Sequence, residues 1–153
     1  MKAILATDGT SESNAAVEMI ESLKFNDGDE LLLITVIDMA VPMAFDAYAG
    51  YLPNTKEIEK VARENAEKVL TETKVAIDEH FSDPGVTVST EILIGSPESR
   101  IVEKAEEFEA DLLIVGSHGY NRWERLLLGS VSDSVVHHAP CSVLVVRNEP
   151  SNI

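Results

Sequence analysis

The residues best suited to ligand chemistry are glycines and hydroxyls at two junctions in the second half of the chain. The run Val115-Gly116-Ser117-His118-Gly119 follows an apolar stretch, and nine residues later Gly129-Ser130-Val131-Ser132 opens a segment of helical period. Glycines there let main-chain N–H groups face a ligand with no Cβ in the way, and a helix N-terminus adds partial positive charge. The serine hydroxyls can bind the same anion. The pattern favours a phosphate chain as ligand.

A second polar turn, Thr7-Asp8-Gly9, follows the first apolar run of the chain. In a doubly wound sheet, ligands lie outside the carboxyl ends of the strands, where the strand order reverses. If the first and fourth strands are neighbours, Asp8 and Gly116 face one crevice, and the carboxylate can accept hydrogen bonds from ribose hydroxyls. Two simpler interpretations stay open: Asp8 organises only the turn into the first helix, and Gly129 is only a helix cap.

Short apolar runs alternate with longer segments of helical period, which is typical of βαβ units on a parallel sheet. We therefore predict an α/β fold, a single-domain open five-stranded parallel sheet with helices on both faces. The third strand alternates apolar and polar residues, which indicates an edge strand with one wetter face. The predicted strands are Lys2 to Thr7, Glu30 to Val36, Val86 to Ile92, Leu112 to Val115 and Ser142 to Val146.

Four helices are predicted between these strands. Thr10 or Ser11 can cap the first, and Ser96 followed by Pro97 suits the start of the third. In the long second helix, Val61 and Val69 belong to the apolar stripe. The predicted helices are Ser11 to Lys24, Lys56 to His80, a third opening at Ser96-Pro97-Glu98, and a last from Gly129 or Ser130 to His138.

Length and composition limit the class of protein. The 153 residues, 44% of them hydrophobic, suit one domain spanning residues 1–153. A formal net charge of −15 repels nucleic acid and anionic lipid. Cys141 is the single cysteine, which excludes an internal disulfide and favours a reducing compartment. No signal peptide and no apolar run long enough to span a bilayer is recognisable, so we expect a cytoplasmic protein without membrane or nucleic-acid partners.

The segment from Asp38 to Thr55 has no clear period and is rich in methionine, tyrosine and other apolar residues. Loops of this length are commonly functional or mobile. The segment could fold over a ligand, meet a protein partner, or pack onto the edge of the sheet.

At these motifs the chain resembles the universal stress protein family, specifically its ATP-binding branch. The resemblance runs from Ala3 to Arg147 and is carried by Ala6-Thr7-Asp8-Gly9, by Val36-Ile37-Asp38, by the glycine motif and by the ending His138 to Arg147. In that family, two glycines three apart, nine residues, and Gly followed by Ser or Thr mark the members that hold ATP. The pattern is complete here.

The resemblance implies a Rossmann-like sheet of order 3-2-1-4-5, as in adenine nucleotide α-hydrolase-like folds, and ATP as the ligand. Mg²⁺ or Mn²⁺ bridging the phosphates is the expected companion of bound ATP. Asp8 then contacts the ribose, and the main chain near Thr7 and Val36 reads the adenine. It also implies a homodimer formed when the strands Ser142 to Val146 of two subunits pair. The ATP-binding residues implied are Thr7, Asp8, Val36, Val115, Gly116, His118, Gly119, Gly129, Ser130, Val131 and Ser132.

Other classes fit the sequence less well. A P-loop NTPase in its usual form is excluded because no Gly-x-x-x-x-Gly-Lys-Ser/Thr motif occurs, and the chain lacks the phospho-acceptor pattern of a receiver domain. A slow ATPase and a flavin carrier using Thr7 to Ser11 remain alternatives to a regulatory module. We assign no catalytic residue, because His118 has no evident orienting carboxylate, and no metal site, because His137 and His138 are adjacent on one helix.

Overall fold

The computed structural model describes residues 1–39, 50, 54–81, 85–117 and 128–147. The predicted site residues His118 and Gly119 lie outside these ranges, as does most of the apolar segment after Asp38. In chain order the elements are β1 (Lys2–Ala6), α1 (Ser11–Ser22), β2 (Glu30–Ile37), α2 (Thr55–His80), β3 (Thr87–Ile94), α3 (Pro97–Glu107), β4 (Leu112–Gly116), α4 (Ser130–His138) and β5 (Ser142–Val146).

The five strands form one parallel sheet in the order β3-β2-β1-β4-β5, which confirms the predicted fold class and topology. Ala6 pairs with Ile34 on one side and with Val115 on the other. The order reverses at β1, so the carboxyl ends of β1 and β4 lie side by side, as the crevice hypothesis requires. β3 is an edge strand with several exposed residues, as its alternating sequence predicts.

Helices cover both faces of the sheet because alternate strand residues point to opposite sides. On one face Leu5, Leu33 and Ile114 pack with residues of α1 and α2. On the other, Leu113 and Val115 pack with residues of α3 and α4. The central strands are buried on both faces, which explains why their sequences are nearly continuous in aliphatic residues.

The predicted N-cap residues lie at the starts of α1 and α3. Thr10 is the N-cap of α1, and its Oγ1 accepts a hydrogen bond from the N–H of Ser13 at 3.4 Å. Ser96 is the N-cap of α3, with Pro97 at the first helical position, but the Ser96 side chain makes no capping hydrogen bond. These starts matter for function because both helices begin at the carboxyl end of the sheet.

The long helix α2 departs from the predicted stripe. Val61 is 51% exposed, so its assignment to the buried stripe is wrong, and the polar Thr73 is buried instead. The residues that anchor α2 to the rest of the protein are Ala66, Leu70, Thr73 and Ile77. None of the helices in the described ranges is long and apolar enough to cross a membrane.

Candidate functional site

A cavity of about 480 Å³ opens at the carboxyl end of the sheet, over the junction of β1 and β4. Its wall comes from the ends of β1, β2 and β4 and from the first turns of α1, α3 and α4. The lining residues are Ala6, Thr7, Asp8, Thr10, Ser13, Ile34, Val36, Pro97, Ile101, Val115, Gly116, Leu128, Gly129, Ser130, Val131 and Ser132.

The predicted site residues meet at this cavity. Every one of them that falls within the described ranges lines it, although they come from four separate parts of the sequence. Strands β1, β2 and β4 are adjacent and parallel, so the loops that follow them emerge at one edge. The arrangement is therefore a direct consequence of the sheet order.

The turn after β1 is a compact hydrogen-bonded unit. Oδ1 of Asp8 accepts hydrogen bonds from the N–H of Thr10 at 3.0 Å and from its hydroxyl at 2.6 Å. Gly9 has a φ of +77°, a conformation that favours glycine. Asp8 thus organises the turn into α1, as the simpler interpretation predicts, while its side chain is also exposed at the cavity wall.

β2 offers an open main-chain edge at Val36. The β1–β2 pairing ends at Ala6 and Ile34, whereas the β2–β3 pairing continues to Ile37. The Ile34 carbonyl accepts a hydrogen bond from the N–H of Thr7, on the β1 side. The Ile37 carbonyl accepts one from the N–H of Gly95, which follows β3 on the other side. Because main-chain groups alternate along a strand, the N–H and C=O of Val36 point toward the β1 side, beyond the last residue of β1.

The main-chain groups of Thr7 are already occupied within the protein. Its N–H donates to the Ile34 carbonyl at 2.9 Å, and its carbonyl accepts from the hydroxyl of Thr35 at 2.8 Å. Both threonines are buried. The Thr35 hydroxyl takes the place of the N–H that would continue the β1–β2 ladder, so at this end of the cavity the free main-chain edge belongs to Val36.

Two hydrogen bonds hold the start of α4 against the end of β4. The hydroxyl of Ser132 donates to the Gly116 carbonyl at 2.6 Å, and the N–H of Gly129 donates to the Ser117 carbonyl at 3.0 Å. We call this pair of bonds the clasp. Ser132 is only 4% exposed, and its proton is used within the protein. The exposed Ser130 is therefore the hydroxyl of α4 that faces the cavity freely.

The first turn of α4 presents unpaired main-chain donors. Its N-cap, Gly129, has no side chain with which to cap the helix. The first intrahelical bond runs from Asp133 N–H to the Gly129 carbonyl, so the N–H groups of Ser130, Val131 and Ser132 have no intrahelical partner. These donors and the helix dipole make the wall attractive to an anion.

The charge of the cavity wall is carried by few side chains. Among its described lining residues, Asp8 is the ionisable one, and neither lysine nor arginine occurs. A polyanion in this cavity would be bound by main-chain N–H groups, hydroxyls and helix N-termini rather than by basic side chains. Arg122 and Arg125 lie outside the described ranges.

Sequence reasoning missed part of the wall. Pro97 and Ile101 reach the cavity from the first turns of α3, and Thr10 and Ser13 reach it from α1. A signal was present for both helices, because each begins just after the carboxyl end of a predicted strand. The remaining unpredicted lining residues are Ala6, Ile34 and Leu128.

The histidines of α4 and the cysteine stand apart from this cavity. Nδ1 of His137 lies 2.7 Å from the Asp133 carbonyl, and Nδ1 of His138 lies 2.8 Å from the Ser134 carbonyl, one turn back along the helix. Within the described ranges no three His, Cys, Asp or Glu side chains are grouped as a metal site. Burial raises the pKa of the Cys141 thiol, which does not suit a nucleophile.

A doubly wound sheet with a cavity at its switch point defines a class of α/β proteins that bind ligands above the sheet. Comparison with known proteins narrows the class. The sequence profile described as the Universal stress protein family matches residues 1–147. A putative universal stress protein of Staphylococcus aureus strain USA300 is 36% identical over 95% of this chain and 83% of its own length. The chain belongs to the universal stress protein family.

Solved structures share the fold of this chain. The hypothetical protein MJ0577 superposes with a TM-score of 0.80 at 27% identity, covering 98% of this chain and 97% of its own. A universal stress protein family protein from Arabidopsis thaliana, solved with AMP bound, has a TM-score of 0.68 at 18% identity over 99% of this chain and 97% of its own. The second likeness concerns the fold alone.

Proposed function

We propose that this protein binds ATP in the cavity between β1 and β4 and acts as a nucleotide-dependent regulatory module of the stress response, with slow hydrolysis or none. The observation that carries the proposal is one cavity with an open main-chain edge at Val36 on one side and the uncapped N-terminus of α4 on the other. The AMP bound to the Arabidopsis protein is consistent with an adenine nucleotide in this fold.

The base is expected at the Val36 edge. Adenine carries an amino donor beside a ring-nitrogen acceptor, and a C=O and an N–H of one strand residue are complementary to that pair. Ala6, Val115 and Ile101 supply apolar surface around this position. A flavin would need a larger flat apolar slot, and it would place its phosphate at the turn after β1 rather than at α4.

The ribose and phosphates are expected to extend from Val36 across the end of β1 toward α4. Asp8 stands between the two walls and can accept a hydrogen bond from a ribose hydroxyl. The N–H groups at the start of α4 and the hydroxyl of Ser130 then face the phosphates. The predicted contacts of Gly116, His118 and Gly119 belong to the same phosphate region, the last two on residues outside the described ranges.

A divalent cation is expected with the nucleotide. The protein carries a net charge of −15, and the described lining residues include no basic side chain, so the charge of a triphosphate is poorly neutralised by the protein itself. Mg²⁺ or Mn²⁺ bridging the phosphate oxygens would supply the missing positive charge. Asp8 is the one carboxylate among the described lining residues that could bind this cation together with the phosphates.

A regulatory role is favoured over rapid catalysis. The described lining residues offer neither a histidine nor a lysine, and their one carboxylate, that of Asp8, accepts two hydrogen bonds from Thr10. A bound nucleotide can still favour one conformation over another and so select a protein partner.

The single free thiol, Cys141, fits a cytoplasmic location.

A homodimer through β5 is part of the proposal. β5 pairs only with β4 among the described strands, and its residues Val143, Leu144 and Val145 are only partly buried. Because the Val146 carbonyl accepts a hydrogen bond from β4's side, the main-chain groups of Val143 and Val145 point outward. An apolar edge with unpaired N–H and C=O groups is suited to pairing with a second copy.

Calorimetric titration with ATP and MgCl₂ tests the nucleotide site. Gly129→Val places a side chain at the uncapped end of α4 and should abolish binding with the fold retained. Ser134→Val adds a similar side chain on the same helix, outside the cavity, and should bind as the wild type does. Wild-type affinity in Gly129→Val would refute the site. Mass spectrometry of small molecules released by heating the purified protein would independently identify a natural nucleotide.

A further inference from the structure

The turn that carries Asp8 rests on a side chain of the distant helix α2. A Cβ placed on Gly9 would lie 2.8 Å from Cγ2 of Val69 and 3.5 Å from its Cγ1. The three heavy atoms nearest to that position all belong to Val69. The valine therefore packs directly against the backbone of the turn.

The hydrogen bonds of the turn fix its two ends but not its middle. Thr7 bonds to Ile34 and Thr35 of β2, and Thr10 bonds to Ser13 of α1. Between these ends, the Asp8 carboxylate bonds to Thr10 and the Gly9 N–H bonds to the Thr7 hydroxyl, so this part of the turn needs packing against another element for support. Val69 supplies such support from the other side of the turn.

Val69 is held firmly in place. Its neighbour in sequence, Leu70, is buried in the core formed by β1, β2 and α1, and Ala66 is buried one turn earlier. Ile77 anchors the same helix two turns later. Since α2 is fixed to the sheet at several points, the Val69 side chain offers a rigid surface to the turn.

We propose that Val69 is a positioning residue of the nucleotide site. By packing against the turn, it holds the Asp8 carboxylate where that group can contact the ribose. The inference rests on the proposed function, because it needs a nucleotide whose ribose Asp8 contacts. It adds a residue of α2 that does not line the cavity and to which no binding role is otherwise assigned. Removing the Val69 methyl groups would leave space into which the turn can move.

The first test is Val69→Ala, with Val61→Ala as its control. Both substitutions remove the same atoms from the same helix, but Val61 is exposed and is not among the neighbours of Gly9. We expect ATP affinity in Val69→Ala to fall about threefold to tenfold, the effect of a weakened hydrogen bond. Val61→Ala should bind normally, and Val69→Ile should keep most of the affinity. Normal binding in Val69→Ala would overturn the inference.

A ligand without ribose hydroxyls distinguishes the positioning of Asp8 from a general loss of stability. With a 2′,3′-dideoxy analogue of ATP as the probe, wild type and Val69→Ala should bind equally, because the contact that Val69 positions is then missing. An Asp8→Ala variant should likewise lose little more when Val69→Ala is added. If Val69→Ala weakens the analogue as much as it weakens ATP, Val69 acts on stability alone and the inference is wrong.

A reciprocal test uses the close approach itself. Gly9→Ala introduces a Cβ that collides with Val69, besides its strained φ, and should weaken ATP binding. Adding Val69→Ala to Gly9→Ala removes the collision and should recover part of the affinity, although the same change weakens the wild type. Additive losses would refute the contact. If wild type does not bind ATP but binds another ligand in this cavity, the proposed function fails separately, whatever these variants do.

Discussion

Ser132→Ala distinguishes the phosphate-binding role that the sequence assigns to this hydroxyl from the structural role that its hydrogen bond to Gly116 gives it. As a phosphate ligand, Ser132 would be unpaired in the nucleotide-free protein, and its removal would not change the stability of that form. In the structure its proton is donated to the Gly116 carbonyl at 2.6 Å. We therefore expect the substitution to destabilise the protein before any ligand is added.

The expected size of the effect follows from the bond that is lost. A hydrogen bond of this kind contributes about 1 kcal/mol to the free energy of unfolding, and the loss is larger where the carbonyl is left without any hydrogen-bond partner. Because the carbonyl lies at the wall of an open cavity, water can replace part of the bond. A loss of about 1 kcal/mol corresponds to a melting temperature lower by about 2–4 °C for a chain of this length.

The same substitution should weaken ATP binding through the position of α4. If binding requires the clasp to re-form, the affinity falls by up to about fivefold, which is 1 kcal/mol expressed as an equilibrium constant. Adenosine, which carries no phosphates, should bind almost as before, because it does not reach the start of α4. Ser132→Thr keeps the hydroxyl and should retain most of the stability.

The assay is thermal denaturation of the nucleotide-free protein, followed by calorimetric titration with ATP and with adenosine. Ser134→Ala is the control, since it removes the same atom from a residue of α4 that lies two positions further on, on the opposite side of the helix, and does not line the cavity. The reasoning is refuted if Ser132→Ala and Ser134→Ala have the same melting temperature in the absence of nucleotide. Equal losses of affinity for ATP and adenosine would also contradict it, because the clasp would then not act through the phosphates.

Two further predictions concern the framework. Lys104 of α3 pairs with Glu91 of β3 at 2.9 Å and with Glu107 at 2.7 Å, which raises the pKa of Lys104 and lowers that of Glu107. The Glu107 part of this stability is present above its ordinary pKa of 4.5 and is lost as pH falls through the lowered value, whereas the Lys104 part is lost as pH rises through a value above 10.5. The melting temperature of Lys104→Met should therefore change less with pH than that of the wild type, at both low and high pH. An equal dependence on pH in the two proteins would contradict this. Val145→Pro removes an outward N–H of β5 and should give folded monomers by light scattering, whereas Leu144→Pro breaks the bond to β4 and should destabilise the subunit; a dimeric Val145→Pro would contradict the proposed interface.

The fold was predictable because the strands of this protein differ from its helices in length and period. Four strands are short apolar runs, of which β1, β2 and β4 are buried between two helical layers, and the bounds of all four agree with the structure within one or two residues. The long helix was harder to interpret. Val61 and Val69 lie on overlapping parts of its apolar stripe, and sequence period alone does not say where the neighbouring sheet ends. One valine is exposed, and the other supports a turn from a different part of the chain.

The cavity was predictable to the extent that its residues stand at strand ends. Thr7, Val36 and Gly116 each lie at or next to the carboxyl end of a strand, and parallel order brings such positions together. The partners of polar groups were not predictable in the same way. That the Thr7 carbonyl is bound by Thr35, and that Ser132 bonds to Gly116, depends on distances between elements far apart in sequence.

The proposed nucleotide site has few charged side chains among its described lining residues. The groups proposed to touch the nucleotide are mainly main-chain donors and acceptors at Val36 and at the first turn of α4, which any residue could supply. Their value depends on where the backbone is held, and the hydroxyls of Thr35 and Ser132 bond to the backbone beside these two places. The methyl groups of Val69 contact the turn that carries Asp8 between them. Substitutions at these supporting side chains should therefore alter binding as strongly as many substitutions at the cavity surface, because they move several main-chain groups at once.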